Sequence, residues 1–402
     1  MLEKRAFILL SLIICGTVSA QVAPVAGIQN PDEPGTIVPL GGEDCDDHSG
    51  GPELVIEPRL NLSAVYGHTD LEDAGLAQGG HDPANNGFSV PGLSLGLDVL
   101  YGEHLAGFSE GIFSWTNDSG WDAELEEVYA KFLNLPRGIE IHAGRFFASV
   151  GTQNDIHNHG WKFTDAYLGN VRFLGDDGLI LEGVEVTWTP PTRWDDKLVV
   201  GFGDTLHHAH EEEEEHDDDN DHGHGEEAEE ALWDRNVLTV RYQVTQWPTD
   251  ICQFVYGASY VQGKNFMGGS ARLYGLDFTY TWLEDEDHGK QFTWRNEAMM
   301  RKVHTDEGKF DEFSFSSTAL YKFNPQWEVG LRYEYLEGVK DPELQERHRI
   351  SPALTRYFDV GPTQAMFRLQ YNYDESEERG DDHSIWLQFG FEWGAGGHAH
   401  VH

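Results

Sequence analysis

The sequence has little of three things: cysteine, basic residues and long apolar runs. Its 402 residues include 3 cysteines, too few for a disulfide framework. After the first twenty positions no stretch approaches the eighteen apolar residues that a membrane-spanning helix requires. The chain has only 27 Lys and Arg but 70 Asp and Glu, which gives a net charge of −43. Such a charge repels nucleic-acid phosphates and attracts cations, so we expect no nucleic-acid partner.

The first fifty residues predict export. Lys4 and Arg5 precede an apolar run, and the small residues before Gln21 fit a signal-peptidase site, so residues 1–20 are predicted to be a signal peptide. Residues 21–52 are rich in Pro and Gly, and we interpret them as a flexible periplasmic segment that is too short for a plug domain.

Regular alternation of apolar and polar residues is what the rest of the chain has in abundance. Phe367 and Leu369, for example, flank Arg368. This period of two indicates strands with one apolar face. A soluble sandwich would turn that face inward, whereas an outer-membrane barrel turns it toward lipid. Long strands, regular spacing and aromatic strand ends favour the barrel.

The alternating runs predict an all-β, transmembrane antiparallel β-barrel of about sixteen strands. The fourth run is weak, because Glu126 and Glu127 interrupt its alternation. Counted from a periplasmic start, the short connections with turn formers fall at one end and every long connection at the other, as in porin-like barrels. The predicted strands are 53–66, 93–101, 105–115, 124–134, 139–147, 178–189, 197–205, 236–246, 252–262, 271–283, 291–303, 312–323, 327–336, 347–358, 364–373 and 384–393. The barrel domain is 53–394, followed by a His-containing tail, 395–402.

A barrel of this size typically encloses a water-filled channel, so charged residues on the polar faces are predicted to line a pore. We expect their side chains to project into water. The predicted pore-lining residues are Arg59, Asp98, Glu185, Arg241, Asp277, Arg332, Glu334 and Arg368.

Residues 207–230, in a long outer connection, contain 6 histidines and 13 carboxylates without Lys or Arg. The segment has nothing to bury and is expected to be solvated. Imidazole suits Zn, Cu, Fe and Ni, so it is predicted to bind divalent metal ions loosely. A low-complexity surface loop without ligands is the alternative. The predicted metal ligands are His207, His208, His210, His216, His222 and His224.

His157 and His159 form a second candidate, in the connection 148–177. They contact either a metal ion or a substrate, or they are hydrogen-bonded residues of a polar loop. If this connection folds inward, as the third loop does in familiar sixteen-stranded porins, both lie near a constriction.

The motifs of catalysis are missing. The sequence has no G-x-S-x-G, no HExxH and no cysteine in a catalytic setting, so we expect neither an enzyme nor an obligatory cofactor.

The region from Gly144 to Pro191 resembles a group of bacterial outer-membrane barrels linked to zinc. Some of these are described as zinc-regulated or TonB-dependent-receptor-like, and the general layout of 53–393 also resembles trimeric porins. The resemblance rests on Gly144-Arg145-Phe146-Phe147, Gly151, Asn154, His157-Asn158-His159-Gly160-Trp161-Lys162-Phe163-Thr164-Asp165, Phe173-Leu174-Gly175, Gly178, Gly183 and Trp188-Thr189-Pro190-Pro191. It implies metal uptake or efflux across the outer membrane, with no catalytic residue.

The sequence therefore predicts a Gram-negative outer-membrane channel for passive passage of divalent metal ions, with Zn²⁺ as the expected ion. Its partners would be outer-membrane lipid, the metal ion and, by analogy with porins, two further copies in a homotrimer. A metal-binding surface protein without transport and a general porin with an incidental acidic loop are the alternatives.

Overall fold

The computed structural model describes residues 52–70, 79–116, 120–205, 233–266, 269–285, 289–305, 308–338, 346–361, 363–376 and 380–394. These residues form a closed barrel of sixteen antiparallel strands, which confirms the predicted fold. The strands are β1 (Leu54–Thr69), β2 (Gly87–Tyr101), β3 (Leu105–Thr116), β4 (Gly120–Leu135), β5 (Ile139–Phe147), β6 (Ile180–Trp188), β7 (Asp195–Asp204), β8 (Val237–Thr249), β9 (Cys252–Lys264), β10 (Ser270–Asp285), β11 (Lys290–His304), β12 (Lys309–Asn324), β13 (Trp327–Leu336), β14 (Arg347–Val360), β15 (Thr363–Ser376) and β16 (Gly380–Gly394). The predicted signal peptide, the lead 21–52 except Pro52, the loop 207–230 and the tail 395–402 lie outside the described residues.

Each strand pairs with its neighbours in sequence, and β1 closes the barrel against β16, with Leu62 opposite Phe391. A closed ladder satisfies the backbone hydrogen-bonding groups between strands, as hydrocarbon surroundings demand. No helix among the described residues is long and apolar enough to cross a membrane.

The alternation has the predicted orientation. Phe367 and Leu369 are 46% and 47% exposed on the outer surface, while Arg368 between them is 2% exposed. Aromatic residues are exposed near both ends of the barrel, which is the arrangement of interfacial girdles. They include Trp188, Trp247 and Trp393 toward one end and Tyr66, Phe88 and Trp121 toward the other.

Several strands extend further at one end than the alternation predicts. β2 begins at Gly87 instead of residue 93, and β16 begins at Gly380 instead of residue 384. These extensions contain polar residues such as Asp381 and Asp382, which pair with β15. Backbone hydrogen bonding between strands needs no apolar side chains. The strands therefore continue beyond the apolar belt, where apolar and polar residues no longer alternate.

The connections confirm the predicted asymmetry. Seven hairpins at one end are short, whereas the other end carries the connections from Thr69 to Gly87, from Phe147 to Ile180 and from Asp204 to Val237. We refer to the short-turn end and the long-loop end. In outer-membrane barrels the short turns face the periplasm.

Residues 148–179, the inward loop, fold into the barrel. The loop contains a 3₁₀ turn, Asn158–Gly160, and a short helix, α1 (Leu168–Leu174), whose residues are all buried. It bends at Gly151 and Gly178, whose φ values of 65° and 85° favour glycine. Phe173 of α1 packs against an apolar part of the inner wall that includes Leu181 and Val261. The core of the protein is therefore inside the barrel, between this loop and the strands.

Candidate functional site

The inward loop is closed at its base by Asn154. Its side-chain amide donates to the Ala148 carbonyl oxygen at 2.7 Å, and its side-chain oxygen accepts from the Leu179 backbone N–H at 2.7 Å. One buried side chain thus joins the two ends of the loop, and it satisfies backbone groups that have no strand partner.

Asp165 anchors the far side of the loop to β13, β14 and β15. Its two oxygens pair with Arg332 at 2.7 Å and Arg349 at 2.6 Å, and they accept further hydrogen bonds from Gln370 and Asn372. Burial favours the neutral acid, but the two guanidiniums outweigh it and lower the pKa of Asp165 to about 2.

This pKa predicts that the loop anchor resists moderate acid. The ordinary value is 3.8 and the folded value is about 2, so the stabilisation is fully present above about pH 4. It is lost as the pH falls through about 2, because Asp165 is then protonated between two arginines. The contribution of Asp165, measured as the difference in channel conductance between wild type and Asp165→Asn, should stay constant from pH 7 to pH 4 and decrease below that. A difference that disappears above pH 4 would contradict the assignment.

A second ionic contact fixes α1. Glu312 of β12, with no exposed surface, pairs with Arg172 of α1 and with Arg301 of β11. The backbone N–H of Leu168 at the start of α1 donates to Glu334 of β13 at 2.8 Å. The loop therefore reaches across the barrel from its base at β5 and β6.

On the opposite wall, a β-bulge in β4 turns two consecutive carboxylates inward. In the backbone ladder between β4 and β3, Glu127 is opposite Glu110 and Leu125 is opposite Gly111, so Glu126 is the extra residue. As a result Glu126 and Glu127 are each only 1% exposed. The interruption that weakens the fourth run in the sequence is this bulge, a feature that often re-aims a side chain.

His157 of the inward loop lies against these carboxylates. Its Nδ1 is 3.1 Å from Glu126 Oε2 and 3.5 Å from Glu110 Oε1, and its Nε2 is 2.9 Å from Glu127 Oε2. We call Glu110, Glu126, Glu127 and His157 the carboxylate–histidine cluster. Burial would lower the pKa of His157, but the surrounding carboxylates outweigh it and raise the pKa well above its ordinary value. Without a metal ion the imidazole is therefore the cation of the cluster.

Two further histidines adjoin the cluster. The ring of His159 stacks on that of His157 at 5.6 Å, and its Nδ1 is 3.6 Å from Glu110 Oε1. His81, from the connection between β1 and β2, has its Nε2 3.2 Å from Glu126 Oε1 and 3.5 Å from Asp177 Oδ1. Burial lowers the pKa of His81, but its contacts with Glu126 and Asp177 raise the net pKa to about 9.

Cavities approach the cluster from both ends of the barrel. One lies toward the long-loop end and is lined by His81, Glu126 and His157, among others. The other lies toward the short-turn end and is lined by His159 and Gln388, among others. His157 lines the first cavity and His159 lines the second, so the two stacked rings lie between the cavities, with Glu110 in contact with both rings.

The charged residues predicted to line a pore all point into the barrel, but the expectation that they project into open water is wrong for seven of the eight. Those seven are at most 9% exposed, while the Asp98 side chain is 33% exposed. The inward loop and neighbouring side chains shield these residues from water. Each buried charge has an ionic or hydrogen-bonding partner there, as burial requires. Arg59 pairs with Asp98 and Arg241 with Asp277; Arg332 and Glu334 contact the inward loop, Arg368 donates to the Trp161 carbonyl, and Glu185 accepts from Ser149. Their role along a conducting path stays a prediction.

Of the predicted metal ligands, His157 and His159 come together with carboxylates in the barrel. His207, His208, His210, His216, His222 and His224 lie outside the described residues and stay a prediction. Sequence reasoning did not single out His81 and Glu110, and it took Glu126 and Glu127 only as a defect in a strand. The one usable signal was two adjacent glutamates in an otherwise alternating run.

By sequence, the chain has no family match and is distantly similar to a known protein. No protein-family model matches the chain. An uncharacterized protein of Aquifex aeolicus (strain VF5) is 24% identical over 296 residues, covering 67% of this chain and 61% of that protein.

Solved structures similar to the chain are outer-membrane barrels. They include the channel DcaP of Acinetobacter baumannii (TM-score 0.55, 13% identity, 87% of this chain and 99% of that one). They also include an anion-selective porin from Comamonas acidovorans (0.53, 12%, 85% and 100%) and a loop-deletion mutant of OmpT, an outer membrane protein of Vibrio cholerae (0.53, 11%, 86% and 100%). At these identities the likeness concerns the fold. The chain is thus a sixteen-strand, porin-like barrel with an exposed apolar belt, and it resembles outer-membrane proteins of Gram-negative bacteria. The narrower resemblance to zinc-linked barrels stays a prediction.

Proposed function

We propose that the protein is an outer-membrane channel through which divalent metal ions pass down their gradient. The observation that carries the proposal is the position of Glu110, Glu126 and Glu127, which the β4 bulge and the inward loop bring together between the two cavities. Carboxylates at a narrow point lower the free energy of a cation there and raise that of an anion.

Passage requires movement within the cluster. Since His157 is 1% exposed and contacts all three glutamates, an ion replaces it as the cationic partner while the side chains move apart. Conduction needs binding that is weak enough to release the ion. The arrangement suits a slow, selective channel more than a wide general pore.

Reversal potentials test the selectivity. Purified protein in a planar bilayer with a KCl gradient should show a potential of the sign for cation preference, and a ZnCl₂ gradient should show Zn²⁺ permeation. Anion preference would instead favour the general porin, since anion selectivity is the property of the Comamonas neighbour. A folded barrel without current would favour a metal-binding surface protein.

The acidic loop 207–230 is proposed to concentrate metal ions above the channel. Replacing it by a Gly-Ser linker of equal length should lower zinc uptake when zinc is scarce, because the local supply of cations falls. Uptake at abundant zinc should stay unchanged. If wild type and the linker variant take up scarce zinc equally well, the loop does not supply metal ions and only makes the surface of the protein more soluble.

A homotrimer is proposed on the basis of the porin-like fold, since one structural neighbour, OmpT of Vibrio cholerae, has a trimer form. Native mass spectrometry of the detergent-extracted protein should give three copies of the chain. A mass of one copy would contradict this assembly.

A further inference from the structure

We infer that Glu110, Glu126 and His157 form a transit site for one divalent transition-metal ion. The inference rests on the proposed function for its substrate class, and it adds the ligands and the kind of ion. One ligand comes from β3, one from the bulge of β4 and one from the inward loop. The site therefore exists only when the loop is folded into the barrel.

The separations of the ligand atoms suit a small cation. Nδ1 of His157 is 3.1 Å from Glu126 Oε2 and 3.5 Å from Glu110 Oε1, and all three candidate ligand atoms lie within 4.8 Å of one another. Around a four-coordinate zinc ion bound at about 2.0–2.1 Å, neighbouring ligand atoms are about 3.3 Å apart. An ion thus fits among these atoms after small side-chain shifts.

Glu110 gives an independent reason to expect a cation. It has no exposed surface, and neither of its carboxylate oxygens accepts a hydrogen bond from the described residues. Its oxygen Oε1 has two imidazole nitrogens at 3.5 and 3.6 Å, those of His157 and His159. Burial of a carboxylate without hydrogen bonds is costly, and a bound metal ion removes that cost.

The donor set indicates which class of ion binds. Carboxylate oxygens alone suit Mg²⁺ and Ca²⁺, whereas an imidazole nitrogen favours Zn²⁺ and its neighbours in the first transition row. Three protein ligands leave a coordination position for water, and such open sites exchange their ligands more readily than closed structural sites. Glu127 on Nε2 of His157, at 2.9 Å, would orient the ring with Nδ1 toward the ion.

A second group of residues lies on the long-loop side of this site. The ligand atoms of His81, Glu124 and Asp177 are within 4.8 Å of one another, and the Asp177 side chain is 36% exposed. Since His81 Nε2 is 3.2 Å from Glu126 Oε1, the two groups adjoin at Glu126. An ion from the outer cavity would meet the partly exposed group at Asp177 first and the buried site next, and adjacent sites of this kind promote release.

Equilibrium metal binding to the full-length protein in detergent tests the inference. Wild type and Glu110→Gln are titrated with ZnCl₂ by calorimetry and with Co²⁺, whose visible spectrum reports coordination geometry. The acidic loop contributes equally to both proteins, so the difference between them isolates the buried site. We expect Glu110→Gln to bind one metal ion fewer than wild type, or to bind it at least about tenfold more weakly. About tenfold is the lower limit seen when a residue that only contacts a metal ligand is removed.

Glu328→Gln is the matched control. It also removes one buried carboxylate from the barrel interior, but that carboxylate accepts a hydrogen bond from the Tyr357 hydroxyl on the neighbouring strand. The control should bind as wild type does, and both variants should retain the heat-modifiable migration of a folded barrel. Equal binding by wild type and Glu110→Gln would overturn the inference and leave the cluster as an ion pair that holds the loop.

If Glu110→Gln does not fold, wild-type crystals soaked in ZnCl₂ decide the question. A zinc anomalous peak among Glu110, Glu126 and His157 supports the site, and its absence at a concentration that saturates binding in solution overturns it. Failure here is distinguishable from failure of the proposed function. A barrel that conducts cations without binding zinc contradicts only this inference, and one that binds zinc without conducting contradicts only the channel.

Discussion

Asp165→Asn should raise the single-channel conductance several-fold. Asp165 carries the negative charge between Arg332 and Arg349, which are 0% and 5% exposed. Removing one partner of a buried ion pair costs about 3–5 kcal/mol, because the remaining charge stays desolvated. Here two guanidiniums lose one shared partner, while Arg332 keeps Glu334 and Arg349 keeps Asp374, so the cost is at the lower end of this range. We therefore expect the inward loop to leave the lumen in a large fraction of the molecules and to open the channel that a sixteen-strand wall encloses.

Planar-bilayer recordings of the purified variant measure this effect. Asp311→Asn is the control, since Asp311 forms an exposed ion pair with Lys302 at 2.8 Å and such pairs contribute little. The control should conduct as wild type does, and trypsin should cut the inward loop of Asp165→Asn faster than that of either. Unchanged conductance with unchanged proteolysis would show that Asn154 and Glu312 hold the loop without Asp165.

The barrel was predictable because its strands repeat one physical rule. Lipid on one side and a polar interior on the other force alternation, as at Phe367 and Arg368, and sixteen runs in the right order follow from it. The ends of β2 and β16 were missed because pairing continues where lipid no longer selects apolar residues.

The site was less predictable, because it depends on contacts between distant parts of the chain. His157 could be recognised as a candidate ligand, but its partners Glu110 and Glu127 lie 47 and 30 residues earlier and have no spacing motif. The bulge at Glu126 has the same sequence appearance as a poor strand. Similarly, an open pore was expected because the number of strands was correct but the inward loop was not taken into account. The loop is anchored at Asp165, which pairs with arginines more than 160 residues away in the sequence.

Replacing the two bulge carboxylates, Glu126→Gln with Glu127→Gln, should abolish the cation preference. His157 keeps Glu110 as a carboxylate neighbour and His81 keeps Asp177, so the local charge changes from negative to neutral. At an effective dielectric constant of about 20, one unit charge at 4 Å changes the energy of an ion by about 4 kcal/mol. Even a third of that, about 1.4 kcal/mol, is a tenfold change in permeability ratio.

The reversal potential in a KCl gradient measures this ratio, and the expected shift is toward the value for chloride. Glu53→Gln with Glu57→Gln removes the same charge at exposed positions near the short-turn end, where salt screens it within about 8–10 Å. That control should keep the wild-type potential. Equal potentials in all three proteins would place the selective step away from the bulge. A shift confined to the bulge variant means that one extra residue in β4 determines which ions this barrel admits.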